Sequence, residues 1–379
     1  MIRSKLPDIP VTIFTVMSKM AADHNALNLS QGFPNFKGDQ KLIDLVSEAM
    51  NVGYNQYAPM QGDRELREVI ARKLNTLYNS HYDPETDITV TAGATQAIFT
   101  AISAVVHPGD EVIVLKPAYD CYEPAVELCG GIPVPLQLKA PEYAIAWDKV
   151  RCSITQKTRL IIINTPHNPS GAVLSETDML QLQALVEGTD IMVLSDEVYE
   201  HIIFDGRLHQ SAARFPKLAE RSFITASFGK TFHNTGWKTG YCAGPKAMMQ
   251  EFNKVHQFNV FSVNHPMQKA LAAYLKTPEH YRGLGDFYQR KRDLFLSLIK
   301  DSRFSFIPSA GTYFQLLDYS RITQENDMAF AERLVKEHKI AAIPASVFNK
   351  DKEDHKMLRF CFAKTDDTLK KAAAILNTI

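Results

Sequence analysis

Hydrophobic and polar positions follow two periods along this chain, and its least ordinary residues stand where one period gives way to the other. Five short stretches are almost continuously apolar: 87–91 (DITVT), 111–115 (EVIVL), 159–163 (RLIII), 191–194 (IMVL) and 223–226 (FITA). Runs of this length, rich in β-branched residues, predict strands buried on both faces. Between them the spacing is helical. Leu42, Leu45, Val46 and Met50 share a stripe over 41–52, a second amphipathic segment covers 64–77, and Ile98, Ala101, Ile102 and Val105 share one face after Gln96. Strands alternating with helices predict an α/β fold whose parallel sheet is covered on both sides.

Past about residue 277 the pattern changes. A long helix carrying Tyr288, Leu294, Phe295 and Leu298 is expected, then an amphipathic segment over 327–338 and a loop over 343–348. Residues 357–362 (MLRFCF) alternate, with Leu358, Phe360 and Phe362 facing one way and Arg359 the other. The first 40 residues, punctuated by Pro7, Pro10, Gly32, Pro34 and Gly38, read as irregular apart from a short strand at 29–30. Three parts are therefore expected: an arm over 1–40, a large domain over 41–276 and a smaller α+β domain over 277–379, with the arm packed on the small domain.

Composition narrows the partners. At 379 residues the chain exceeds what one core usually organises. Forty-two basic residues balance forty-two acidic ones, and no basic block stands out, so nucleic acid is not an expected partner. Five cysteines without CxxC spacing suit reduced thiols rather than disulfides or a metal site. No apolar run approaches the roughly 20 residues of a membrane helix, and the first residues lack a signal-peptide core. A soluble, cytoplasmic protein is expected.

In parallel sheets ligands bind beyond the carboxyl ends of the strands, and that is where this chain keeps its chemistry. The fifth apolar run delivers Ser227 and then Lys230, with Lys238 eight positions on. A lysine is ordinarily a solvated surface charge. Directly after a buried strand it loses solvation, its pKa falls, and the neutral amine can form a Schiff base. The first run ends in a small-residue turn, 92–96 (AGATQ), opening a helix; unpaired N–H groups and the helix dipole make that turn an anion site. The remaining runs end at Tyr119, at Asn168 in a proline-dense turn (NTPHNPSG), and at Asp196 and Tyr199. Gly32 sits in a turn where a ligand can approach the backbone, and Tyr57 in a polar loop between helices.

Taken together, SQGFPNF, NQYAPMQG, TAGATQAIF, PAYDCYEP, NTPHNPSG, SDEVYEHI, SFGKTFHNTGWKTGY, GTYF and LRFCFA stand in the order found in fold type I pyridoxal-phosphate aminotransferases. The chain resembles the branch holding kynurenine, glutamine-phenylpyruvate and methionine aminotransferases. The resemblance implies a large domain with a mostly parallel seven-stranded sheet, and pyridoxal 5'-phosphate as cofactor. It implies that Lys230 binds the coenzyme covalently and later moves a proton, that Asp196 pairs with the pyridine nitrogen, and that Tyr199 and Asn168 bond the phenolate oxygen. Tyr119 would stack on the ring. Ala94, Thr95, Gln96, Ser227 and Lys238 would hold the phosphate, joined by Tyr57 from the facing subunit of a homodimer with shared sites.

The substrate carboxylate would fall to Arg359, helped by Gly32 and Asn168, with Phe14 and Phe33 against its side chain. No arginine near Ile13, Phe14 or Phe33 offers to bind a second carboxylate. The expected reaction moves the amino group of methionine or an aromatic amino acid to a 2-oxo acid in two half-reactions, with histidine, glutamine and kynurenine as further donors. A β-lyase acting on cysteine conjugates or cystathionine would use the same lysine, aspartate and arginine; release of ammonia and pyruvate without an acceptor separates the two. A coenzyme-sensing regulatory protein, the alternative from another class, lacks its basic patch here.

Overall fold

The computed structural model describes residues 3–379. Seven strands form the main sheet: β1 (Ile88–Thr91), β2 (Glu111–Lys116), β3 (Ile132–Gln137), β4 (Thr158–Asn164), β5 (Met192–Asp196), β6 (Ser222–Ser227) and β7 (Gly240–Ala243). Their order is β1-β7-β6-β5-β4-β2-β3, and only β7 runs against its neighbours. The mostly parallel, seven-stranded α/β sheet is thus as expected.

The alternation within each strand explains why the apolar runs are continuous. Val112, Val114, Leu160 and Ile162 face one layer with helices Ala94–Val105 and Lys246–Asn259, while Ile113, Leu115, Ile161 and Ile163 face the other with helices Arg64–Tyr78 and Glu176–Val186. Both faces are covered, so neither can be polar.

Two of the strands do not show as apolar runs. The β3 sequence is IPVPLQ, and its prolines are tolerated because it lies at the sheet edge, bonded on one side only. Strand β7 spans four residues and begins with glycine.

Beyond the main sheet, β8 (Phe314–Asp318), β9 (Ile343–Pro344) and β10 (Met357–Cys361) form an antiparallel sheet in the order β9-β10-β8. Residues 343–348, expected as a loop, hold β9 and a 3-10 turn, Ala345–Phe348. The arm is not irregular either: Ile13–Asp23 is a helix, capped by the Thr12 hydroxyl on the Thr15 N–H. Its signal was present, since Ile13, Val16, Met17, Met20 and Ala21 follow the helical spacing after a capping threonine. Helix Ile13–Asp23 lies against β9 and Ile340–Ala341, and Leu27–Asn28 pairs in parallel with Ile340–Ala341. The expected strand at 29–30 is displaced to that pair, and Leu29 continues it, donating to Ala341 and accepting from Cys361.

Among the described residues no helix is long and apolar enough to cross a membrane.

Candidate functional site

A cavity of about 260 Å³ opens at the carboxyl ends of the main strands and is closed on its far side by the arm and β10. Strand ends converge there because parallel strands expose their loops on one edge. Phe14, Gly32, Phe33, Ala94, Thr95, Tyr119, Asn168, Asp196, Tyr199, Ser227, Lys230, Lys238 and Arg359 all line it. Two of the residues singled out from the sequence do not. Gln96 turns its side chain away, accepting from the Ala92 N–H at 3.0 Å and donating to the Thr100 hydroxyl at 2.6 Å, so only its backbone is left for an anion. Tyr57 is 81% exposed and meets Phe261 edge-on at 5.5 Å, outside this chain's cavity.

Lys230 sits just beyond β6, and burial lowers its pKa to about 8. Its amine donates to the Gly32 carbonyl at 3.0 Å, an oxygen that also accepts from the Tyr313 hydroxyl at 2.6 Å. A Cβ at position 32 would come within 2.8 Å of the Phe314 ring, so a larger residue there would have to displace that ring. At the cavity floor, Asp196 ends β5; burial raises its pKa to about 6, opposed by the Tyr122 hydroxyl, which donates to Oδ2 at 2.6 Å. Burial also pushes the Tyr199 phenol up, which leaves it a protonated donor.

Arg359, on the opposite face of its strand from Leu358, Phe360 and Phe362, is 1% exposed, because the Phe14, Phe314 and Phe348 rings and Asn168 cover that face. Its guanidinium lies 3.9 Å from the centre of the Phe314 ring, with Phe14 and Phe348 each at 5.2 Å. Burial lowers its pKa to about 10, so it stays charged at neutral pH. No carboxylate forms an ion pair with it among the described residues: Nη1 donates to Asn168 Oδ1 at 2.7 Å, Nη2 to the Ser30 carbonyl at 3.3 Å, and Nε has no partner. A buried cation with no counter-ion is costly unless a ligand supplies one.

This contact also sets the Asn168 amide. Arginine can only donate, so Oδ1 must face it and the Asn168 NH2 is left toward the cavity, where it can meet only an acceptor.

At the opposite end, helix Ala94–Val105 begins with Gly93 at φ 79°, and no side chain caps its N–H groups. Lys238, left-handed at φ 53°, brings its Nζ beside Gly93, and Ser227 lines the same end. Lys238 has no carboxylate within 4.0 Å among the described residues. Open N–H groups, a positive dipole end and an unpaired ammonium form an anion cradle.

These donors suit pyridoxal phosphate: a cradle for the phosphate, a desolvated amine for the aldehyde carbon, a carboxylate for the ring nitrogen, and donors for the phenolate oxygen. Tyr122 and Phe314 lie within PAYDCYEP and GTYF, but their contacts with Asp196 and Arg359 exist only in three dimensions. No cluster of side chains that could hold a metal occurs among the described residues.

Comparison with known proteins agrees. The family model for aminotransferase class I and II matches residues 24–376. The chain is 48% identical to a methionine aminotransferase of Escherichia coli over 378 residues, covering 100% of this chain and 98% of that one. It is 34% identical to a kynurenine–oxoglutarate transaminase of Dictyostelium discoideum, covering 95% and 92% of the two chains. Among solved structures, Escherichia coli YbdL, described with a methionine aminotransferase function, superposes with TM-score 0.98 at 47% identity over the full length of both chains. Thermus thermophilus aspartate aminotransferase with maleate superposes at TM-score 0.91 and 28% identity, again over both full chains. With its sheet, its cavity and its whole length accounted for, this chain belongs to the class I and II aminotransferases.

Proposed function

We propose that this aminotransferase takes the α-amino group from methionine and from aromatic amino acids and passes it to a 2-oxo acid, with pyridoxal 5'-phosphate as coenzyme. The observation that carries the reading is Arg359, buried, charged and without a carboxylate of its own. It suits the one carboxylate that an amino acid and a 2-oxo acid have in common, and its planar fork can bind it in bidentate fashion. The cavity's other cations, Lys230 and Lys238, belong to the amine and to the anion cradle. Among the described residues that line the cavity no further cation is left for a side-chain carboxylate, and Phe14 and Phe33 present apolar rings instead. The methionine aminotransferase relatives point the same way.

Bound in this cavity, the coenzyme supplies the electron sink that lets an α-hydrogen leave an amino acid as a proton. The chain does the rest. Lys230, with its pKa lowered toward neutrality, accepts and returns that proton, and the Gly32 carbonyl gives its amine a resting partner. Asp196, held by Tyr122, would supply the negative charge for the coenzyme's ring nitrogen. Tyr199 and the Asn168 NH2 would donate to the phenolate, and Tyr119 would cover one face of the ring. Ser227, Lys238 and the N–H groups of Ala94, Thr95 and Gln96 take the phosphate.

We also place Tyr57 in the site of a second copy, forming a homodimer. Tyr57 and Phe261 are large apolar rings left exposed on one face, as a partner-covered surface would be. The division at about 40 and 276 is supported by the separate antiparallel sheet and by the arm's packing on it. Five free thiols suit the cytoplasm.

A panel of amino donors against one 2-oxo acid tests the specificity. Methionine, phenylalanine and tyrosine should give the highest kcat/KM, spread over a narrow range because apolar selection amounts to about 1–3 kcal/mol per methylene. Aspartate or glutamate as the best donor would overturn it.

A further inference from the structure

Asn164, the last residue of β4, uses both ends of its amide. Nδ2 donates to the Asp196 backbone carbonyl at 2.9 Å, and Oδ1 accepts the Asn168 N–H at 2.8 Å. Asn168 in turn accepts from Arg359 Nη1 at 2.7 Å, and Arg359 Nη2 reaches the Ser30 carbonyl of the arm at 3.3 Å. Three hydrogen bonds therefore run unbroken from the backbone of the coenzyme-side carboxylate residue to the substrate-side guanidinium, and a fourth continues into the arm.

The intervening loop contains Pro166 and Pro169, which have no N–H to donate. The β4–β5 register sets Asn164 opposite Asp196, which brings its amide within reach of that carbonyl. The same carbonyl accepts the Thr165 N–H at 3.1 Å, so the strand pairing does not depend on the Asn164 side chain.

We propose that Asn164 is a positioning residue: its amide sets the Asn168 loop against Asp196, and through the Asn168 side chain it sets Arg359 at a defined distance from the coenzyme. It acts through its neighbours, and the two ends of its amide have separable effects. The donor end governs where Asp196 stands, and so the coenzyme. The acceptor end governs Asn168 and Arg359, and so the substrate carboxylate. This inference rests on the roles given to Asp196, Asn168 and Arg359 under the proposed function.

Two substitutions separate the ends. Asn164→Ala removes both and should raise the coenzyme Kd and the methionine KM each about fivefold to tenfold, as expected for lost neutral hydrogen bonds. Asn164→Asp keeps an acceptor for the Asn168 N–H but turns a carboxylate oxygen toward the Asp196 carbonyl. It should leave the KM within about twofold while weakening the coenzyme more than Asn164→Ala does. Coenzyme affinity is read by fluorescence titration of the coenzyme-free protein, independently of turnover. A purely structural asparagine would move Kd and KM together in both variants. Equal KM increases in the two variants, or values within twofold of wild type in Asn164→Ala, would overturn the proposal. If Asn164→Ala does not fold, the contrast between Kd and KM in Asn164→Asp still decides. If the wild-type protein prefers another donor, the same split is read with that donor, so an error in the substrate reading is told apart from an error here.

Discussion

Two sets of buried charges leave one five-residue run in opposite directions. Asp196 and Tyr199 face the cavity, whereas Glu197 and Glu200 face the layer on the other side. On that side every charge is matched. Glu200 accepts from Lys73 at 2.5 Å and from the Tyr78 hydroxyl at 2.6 Å; burial alone would raise its pKa, but Lys73 carries it down to about 2. Glu197 accepts from the Ser195 hydroxyl, the Ala212 N–H and His209 Nε2, all within 2.9 Å. In the cavity, Lys230, Lys238 and Arg359 have no carboxylate in contact. Both sides combine carboxylates, cations and phenols. The difference is that one set is complete without a ligand and the other is not, which separates charge that holds the fold from charge that waits for a substrate.

The largest test of that contrast is Lys230→Ala. Turnover of methionine should fall by roughly 10⁴-fold or more, the upper range for losing a proton-transfer group, while thermal stability holds or rises; keto-acid formation and a melting curve measure the two. Glu200→Gln should do the reverse. Leaving Lys73 buried without its partner costs about 3–5 kcal/mol, seen as a lower denaturation midpoint, and the coenzyme-loaded fraction that remains folded should keep its KM. A large stability loss for the first variant and none for the second would dissolve the distinction.

Arg359→Lys sharpens it further. Lysine keeps the charge but lacks the fork and the stacking on Phe314, so the methionine KM should rise about 100-fold with the coenzyme Kd within a few-fold. Steady-state kinetics and coenzyme titration check this.

The smallest effect is in pH. In the coenzyme-free protein Lys230 titrates near 8, below its value in the unfolded chain, so between about 8 and 10.4 the unfolded state binds the extra proton. Stability should rise with pH across that window in wild type relative to Lys230→Met. For Asp196, with a folded pKa of about 6 against about 3.9 unfolded, the folded state binds the extra proton, so stability should fall as pH rises from about 4 to 6. Asp196→Asn should flatten that slope in denaturation curves taken across the range.

Much of the site was legible because its residues stand at the ends of apolar runs. The runs at 159–163 and 191–194 placed Asn168 and Asp196, and the run at 223–226 placed Lys230, within a few residues of where the strands end. Less was legible where the structure depended on neighbours distant in sequence. Alternation put Arg359 on the face opposite Leu358 and Phe360, but the rings of Phe14, Phe314 and Phe348 that bury it come from distant parts of the chain. Gln96 carries the right position on a helix start, yet Thr100 and Ala92 claim its side chain. The helix Ile13–Asp23 had a cap and a stripe in plain view, but the prolines on either side of the segment outweighed them.

The chain's pattern alone determined which stretches become strands and helices, and that the reactive side chains gather at one edge of a parallel sheet, because burial of a face and the direction of parallel strands are written in local spacing. Only the tertiary structure decided which buried charges find partners. Lys73 meets Glu200 across 127 residues of chain and Arg359 meets Asn168 across 191, one pair neutralising itself and the other leaving a cation open. Electrostatic pairing acts over a few ångströms in space, and those distances exist only once the sheet, the arm and β10 have closed around one cavity.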